Sequence, residues 1–363
     1  MLSNIKVLDL SRVLAGPLCT MTLGDLGANV IKVERPGAGD DTRGWGPPFD
    51  DRGESAYYLA VNRNKKSIAL DLGQPADRAI VRTLASEADV VVDNFKSGTL
   101  ERWALNPEKL LLDAPRLIWC TISGFGKSNS RVGYDLVIQA ESGWMSITGE
   151  PAGDPMKVGV ALADILAGKD ATIAILAALA GRDSLSPAER HIHISLSASA
   201  TAALINVGQN AIVTGRDAKR WGNQHPNLVP YQLFHAADRP MIVAVGSDSQ
   251  WKACALSLEL GDFVANQSTA TNAGRLAERD LIVSAVAEKL RTRTASEWIS
   301  ILDEAGVPCG VVKSVLEALQ TVDASPLSGI APSVPGSVRL PPPRLNQDGE
   351  EIRSLGWACF ATT

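Results

Sequence analysis

Cysteine, histidine and surplus positive charge are all scarce in this chain, and each shortage closes a class of function. Its 363 residues include five cysteines and four histidines. Cys19, Cys120, Cys254, Cys309 and Cys359 are far apart, odd in number and never form a C-x-x-C pair, which argues against a disulfide framework and a zinc site. A reducing, cytoplasmic setting is expected. No stretch approaches the roughly 20 apolar residues of a membrane span, and Asp9 and Arg12 interrupt the apolar N-terminus before it could serve as a signal-peptide core. The net charge is -5, so neither nucleic acid nor a membrane surface is an expected partner.

Several catalytic patterns are missing as well. A nicotinamide enzyme carries G-x-G-x-x-G in its first βα turn so that the pyrophosphate can approach the backbone, and no such turn is present. Glu34, at the end of the second predicted strand, therefore reads as a solvated acid. There is no G-x-S-x-G elbow for a hydrolase and no G-x-x-x-x-G-K-[ST] loop for a nucleotide phosphate. His191 and His193 lie two apart on a predicted strand and share a face, but no nearby carboxylate or cysteine completes a metal site. They read as part of a partly exposed strand, and no metal is expected.

What is present describes a globular α/β protein. Hydrophobic residues make up 45% and charged residues 21%, and the length calls for a large domain and a smaller one. Apolar runs predict strands at 5–10, 29–34, 67–72, 90–93 and 117–122, alternating with helices at 18–26 and 76–87, which implies a parallel sheet covered on both faces. An alanine- and leucine-rich run at 164–180 predicts a buried helix, followed by a strand at 190–195. The large domain is expected over 1–205, a linker and small domain over 206–320, and an arm over 321–363 that returns to the large domain. Pro341-Pro342-Pro343 makes that arm extended. Arg35, Arg43, Arg63, Lys65, Lys66 and Arg102 cluster near predicted strand ends, where an anionic ligand of an open α/β sheet would sit; solvated surface charge is the competing explanation.

Longer motifs carry a more specific signal. Leu8-Asp9-Leu10-Ser11-Arg12-Val13-Leu14-Ala15-Gly16-Pro17 and Leu26-Gly27-Ala28-Asn29-Val30-Ile31-Lys32-Val33-Glu34 closely resemble the opening of family III CoA-transferases. Asn62-Arg63-Asn64-Lys65-Lys66-Ser67, Asp93-Asn94-Phe95, Gly133-Tyr134-Asp135, Gly159-Val160-Ala161-Leu162-Ala163-Asp164 and Gly222-Asn223-Gln224-His225-Pro226 continue the likeness in the expected order. The resemblance implies a Rossmann-like parallel sheet in the large domain, a smaller α/β domain, and two chains interlocked as a homodimer. Acyl-CoA and a small carboxylic acid would be the substrates, with no bound prosthetic group.

In that family the nucleophile is the aspartate that ends the motif before the buried helix, which here is Asp164. A carboxylate suits the chemistry, because attack on a thioester yields an anhydride and then an aspartyl-CoA thioester without ATP. Its place at the predicted helix start favours negative charge, although a simple helix-capping role would explain the same position. Gly159 and Gly168 would let main chain approach the thioester. Asp135 is the second catalytic candidate. By the same resemblance Arg35, Leu70, Asn94, Phe95 and Arg102 are the expected CoA contacts, and succinyl-CoA is the expected donor.

The same superfamily includes α-methylacyl-CoA racemases, which carry a histidine base where this chain has Tyr134. An ordinary phenol is a poor base at neutral pH, so racemization is the alternative rather than the first reading. The glycine-rich loop of the formyl-CoA:oxalate branch is missing, since no glycine lies between Asn227 and Met241, and oxalate is not an expected substrate. A non-catalytic CoA-binding role is the third reading.

Overall fold

The computed structural model describes residues 1–325 and 327–361; positions 326, 362 and 363 of the expected C-terminal arm lie outside the described residues. It divides into two compact units, one formed by 1–145, 157–217 and 322–363, the other by 146–156 and 218–321.

The first unit holds a six-stranded sheet. In chain order its elements include β1 (Lys6–Asp9), α1 (Ala15–Asp25), β2 (Asn29–Glu34), β3 (Lys65–Ala69), α2 (Pro75–Ser86), β4 (Val90–Asp93), α3 (Pro107–Asp113), β5 (Ile118–Ser123), α4 (Asp135–Glu141), α5 (Leu162–Gly181), β6 (His191–Ser195), α6 (Leu196–Ala202) and α7 (Ile205–Thr214). The strand order is β3-β2-β1-β4-β5-β6, and every pairing is parallel. Parallel strands joined by helical crossovers are covered on both faces, so central strands such as Val90-Val91-Val92 are apolar throughout instead of alternating. One face buries Leu8, Ile31, Val91 and Trp119 against Val81, Leu84 and Ala85 of α2. The other buries Val7, Val30, Val92 and Cys120 against Ala163, Ala167, Ala171 and Ile175 of α5.

Small side chains let α5 lie close to α1. A Cβ built at Gly168 would stand 2.6 Å from the Ala15 carbonyl oxygen, so any larger residue must push the helices apart. Gly168 therefore serves helix packing. Gly159 has open space where a Cβ would be.

The C-terminal segment packs on the same unit. Ser67 N donates to Asp348 at 2.8 Å, Lys66 Nζ to Glu351 at 2.7 Å, and Trp357 Nε1 to the Leu84 carbonyl at 3.0 Å. Pro342 and Pro343, which lack an N–H, offer their carbonyls to Arg52 and Arg43.

The second unit is built on an antiparallel sheet of β7 (Tyr231–His235), β8 (Pro240–Ala244) and β9 (Cys309–Val311), with α8 (Asp248–Ser257), α9 (Arg279–Leu290) and α10 (Ala295–Glu304). Trp251, Met241, Val286 and Trp298 fill its core. A Thr294–Glu297 capping box starts α10, satisfying N–H groups at both positions. The division differs from the expected 1–205 and 206–320: the first unit runs to 217, and 146–156 belongs with the second. Arg220 supplies the reason, since its guanidinium donates to the carbonyls of Glu150 at 3.0 Å and Gly153 at 2.7 Å.

The basic cluster expected near the strand ends is mostly a buried ionic network. Arg43 pairs with Glu34 and Glu54 at 2.7 Å each, Arg63 with Asp25 at 2.7 Å, and Lys65 with Asp9 at 2.9 Å. Both earlier explanations fail for these residues, which are neither solvated nor free for a ligand. Glu34 is likewise buried and bonded rather than solvated. No helix among the described residues is long and apolar enough to cross a membrane.

Candidate active site

Asp164 stands in the first turn of α5 and lines a cavity of about 270 Å³. The cap residue of α5 is Ala161, whose side chain makes no hydrogen bond, so Asp164 is not the cap. Asp135 does that work from outside the helix. Its Oδ1 accepts from Ala163 N at 2.8 Å and more weakly from Asp164 N at 3.4 Å. The wholly buried Gln139 locks the arrangement, donating to Asp135 Oδ2 at 2.6 Å and accepting from Val158 N at 2.8 Å. Asp135 thus secures the helix end that carries Asp164.

The Asp164 carboxylate accepts no hydrogen bond and forms no ion pair among the described residues. Burial, reinforced by the nearby Asp135 charge, pushes its pKa up to about 7. Tyr57, half-buried close by, is pushed up to about 12 by burial and by the charges of Asp164, Asp135 and Asp40. A carboxylate this basic is a stronger nucleophile than an ordinary one, and it projects into open space rather than into a bonded network.

The floor of the cavity lies at the carboxyl ends of the strands. Asn94 follows β4 and clasps Arg12, accepting from Arg12 N at 2.9 Å and donating to the Arg12 carbonyl at 2.7 Å. Phe95 packs edge-on to Trp103 at 5.3 Å. At the rim Gly124 and Gly133 meet so closely that a Cβ on either would fall 2.7 Å from the other's backbone, which keeps the two loops together. Asn94, Phe95, Tyr134 and Asp164 all line this space.

The expected site residues are therefore only partly assembled. Asp164, Asn94 and Phe95 line the cavity, and Asp135 adjoins it through α5. Arg35, Leu70 and Arg102 are not among the lining residues. Leu70 is 1% exposed within the apolar core, Arg35 pairs with Asp41 at 2.6 Å, and Arg102 bonds Thr99 at 3.1 Å.

Sequence reasoning missed Arg12, Lys96, Lys127 and the histidine pair as lining residues. The alternation His191-Ile192-His193 carried a signal for a shared face, and the two rings do lie 4.0 Å apart. Nothing in the sequence placed that face on the cavity. Among the described residues no group of three or more His, Cys, Asp or Glu side chains is arranged to hold a metal.

Comparison with known proteins bears on the family and the fold. The sequence model described as "CoA-transferase family III" matches residues 2–330. A human succinyl-CoA:glutarate CoA-transferase is 41% identical over 317 residues, covering 86% of this chain and 72% of its own. Succinate–glutarate CoA-transferase of Agrobacterium fabrum is 41% identical over 324 residues, covering 87% and 81%. Among solved structures, a CAIB/BAIF family protein from Brucella suis superposes with a TM-score of 0.84 at 37% identity, covering 97% of this chain and 98% of that one. A six-stranded parallel sheet, an aspartate presented at a helix start and a family match spanning most of the sequence lead to one assignment: the chain belongs to the family III CoA-transferases.

Proposed function

We propose that this enzyme moves CoA from succinyl-CoA to a dicarboxylic acid of the glutarate type, with Asp164 as the covalent carrier. The observation that carries this reading is the unpartnered, basic carboxylate of Asp164 at the start of α5 inside the cavity. The succinyl donor and glutarate-like acceptor follow the names of the relatives above.

Asp164 attacks the thioester carbonyl carbon, the C–S bond breaks, and CoA leaves as the thiolate, giving a mixed anhydride. The thiolate then attacks the Asp164 carbonyl, releasing the donor acid and leaving an aspartyl-CoA thioester. The acceptor carboxylate attacks that thioester, expels the thiolate and forms a second anhydride. Finally the thiolate attacks the acceptor's acyl carbon, yielding the new CoA ester and restoring the Asp164 carboxylate. Every bond broken is replaced by one of similar activation, so no ATP is consumed. The dipole of α5 favours the negative charge that develops at Asp164, while the N–H groups of Ala163 and Asp164 are taken up by Asp135. Asp135 positions this turn, and Asn94 and Phe95 contact the CoA moiety.

A homodimer completes the proposal. α7 buries none of its residues and leaves Ile205, Ile212 and Val213 at 74%, 77% and 75% exposure, an apolar face that a second copy would cover. Its mass in solution by light scattering tests the point.

For the reaction, the protein is mixed in heavy water with succinyl-CoA and glutarate, and every CoA ester is weighed. Glutaryl-CoA that forms with the wild type and vanishes with Asp164→Ala is the expected result. Deuterium entering the α-position without CoA exchange would replace transfer with racemization.

A further inference from the structure

The loop that leaves β1 enters the cavity in a conformation that a chain does not adopt freely. Val13 has a φ of 73°, in the left-handed region that a β-branched side chain disfavours. Six non-glycine residues have a positive φ among the described residues, and Val13 is the one that lines the Asp164 cavity. It is in neither apolar core of the first unit, so apolar packing is not what holds it. Strain kept at such a place points to a role for the geometry it fixes.

The hold is polar, and it comes from both strands that flank β1. Asn94, after β4, grips Arg12 by its N–H and its carbonyl. Lys32 of β2, wholly buried, donates to the Ser11 carbonyl at 2.9 Å and pairs with Asp40 at 3.0 Å. Asp40, after β2, accepts from Val13 N with both oxygens at 3.3 Å, and Thr42 fixes it in turn through N at 3.0 Å and Oγ1 at 2.8 Å. Three consecutive residues are thus pinned by their main chain, and Asp40 is the group that reaches the strained one. The resulting turn is tight: a Cβ built at Gly16 would stand 2.3 Å from Ser11 Cβ. It delivers Ala15 to α5, where the Ala15 carbonyl faces Gly168, one helical turn beyond Asp164.

We propose that Asp40 is a positioning residue for CoA transfer: by holding Val13 left-handed, it sets the turn that forms the cavity wall beside the Asp164 helix. This rests on the transfer reading above. Asp40 does not line the cavity, whereas Val13 and Ala15 do, so its effect passes through the main chain of 13–15. Anhydride and thioester replace each other at one carboxylate, and a wall that shifted between steps would misplace the incoming thiolate or acyl carbon. Displacement of a reacting group by about 1 Å is enough to cost rate without abolishing binding.

Glycine adopts the left-handed region without help, so the test asks whether Asp40 is needed only when valine is present. Asp40→Ser keeps a capping oxygen for Thr42 N but is too short to hold Val13 as well, and Lys32 retains the Ser11 carbonyl and Asp9 at 4.0 Å. With Val13 in place this change should lower kcat about tenfold or more, the order to which left-handed strain converts, and leave KM for succinyl-CoA within about threefold. In the Val13→Gly background the same change should lower kcat less than about threefold, a departure from additivity that a general structural loss does not produce. Hydrogen exchange over 11–16 should be faster in Asp40→Ser than in the wild type. If Asp40→Ser does not fold, Asp40→Asn makes the same comparison, since it keeps the cap but takes from Lys32 its charged partner and from Val13 one of two oxygens. Equal losses in the two backgrounds, an effect on KM alone, or unchanged exchange each overturn the proposal. If the wild type moves no CoA, the transfer reading fails by itself, and the exchange comparison still decides whether Asp40 holds the turn.

Discussion

Two aspartates, one at the end of β1 and one in the first turn of α5, have opposite electrostatic fates. Asp9, wholly buried, accepts from Ser11 Oγ at 2.5 Å, Thr20 Oγ1 at 2.7 Å and Lys65 Nζ at 2.9 Å. Burial alone would raise its pKa, but Lys65 and Lys32 more than offset that and hold it well below the usual carboxylate range. Asp164, less deeply buried at the cavity, has another carboxylate nearby and no cation, and desolvation raises it to about 7. Desolvation is common to both. The counter-charge separates a structural anchor from a group with reactivity left over.

The strongest way to break this comparison is to remove each carboxylate's charge and ask what is lost. Asp164→Asn should lower CoA transfer by about 10⁴-fold or more, as loss of a nucleophile does in other covalent enzymes, whereas folded Asp9→Asn should keep most of its activity. Product mass spectrometry with matched protein concentrations reads the difference. A variant of Asp164 that still transferred at near wild-type rate would end its role as carrier.

Stability should reverse the ranking. Asp9→Ala leaves Lys32 and Lys65 buried without their shared partner and should cost ~3–5 kcal/mol in urea unfolding. Because the folded pKa of Asp9 is depressed, its contribution is present above the ordinary carboxyl pKa and is lost as pH falls below about 4. The cost of the variant should therefore shrink in acid.

Asp164 works in the other direction. Its raised folded pKa means that folding carries a penalty fully present above about 7 and absent below the unfolded carboxyl value. Asp164→Asn should accordingly stabilise the protein by ~1–3 kcal/mol at pH 8 and by little at pH 3, a comparison that two urea titrations make. A variant equally stable at both pH values would mean that the carboxylate is better solvated than its surroundings indicate.

The smallest effect sharpens the part played by Asp135. Transfer should increase with pH through about 7 as Asp164 loses its proton. Asp135→Asn keeps an oxygen to accept from Ala163 N but removes the like charge, so the midpoint of the pH–rate profile should fall by about one unit. Burial, the larger cause, should keep it above that of an ordinary aspartate.

Local pattern made much of this legible. The apolar run after Asp164 announced α5, and the aspartate's place in its first turn followed from where that run begins. The alternation of His191 and His193 announced a common face. What local pattern did not reveal was occupancy: Arg43, Arg63, Lys65 and Lys66 looked like a basic surface because their partners, Glu34, Asp25, Asp9 and Glu351, are up to 285 residues away. Leu70, expected as a CoA contact from the family resemblance alone, lies in the core, which includes Ile352 and Trp357 from the far end of the chain.

The sequence by itself determined the elements, the parallel α/β class, the family, and which aspartate heads the buried helix, because each depends on periodicity or on contiguous motifs. Only the tertiary structure decided that Asp135 rather than Asp164 caps α5, that the basic cluster is spent on buried pairs, and that the histidines share a cavity with Asp164. Those outcomes depend on strand order and on contacts between distant segments. A charge pattern along the chain carries no information about which partner will neutralise it.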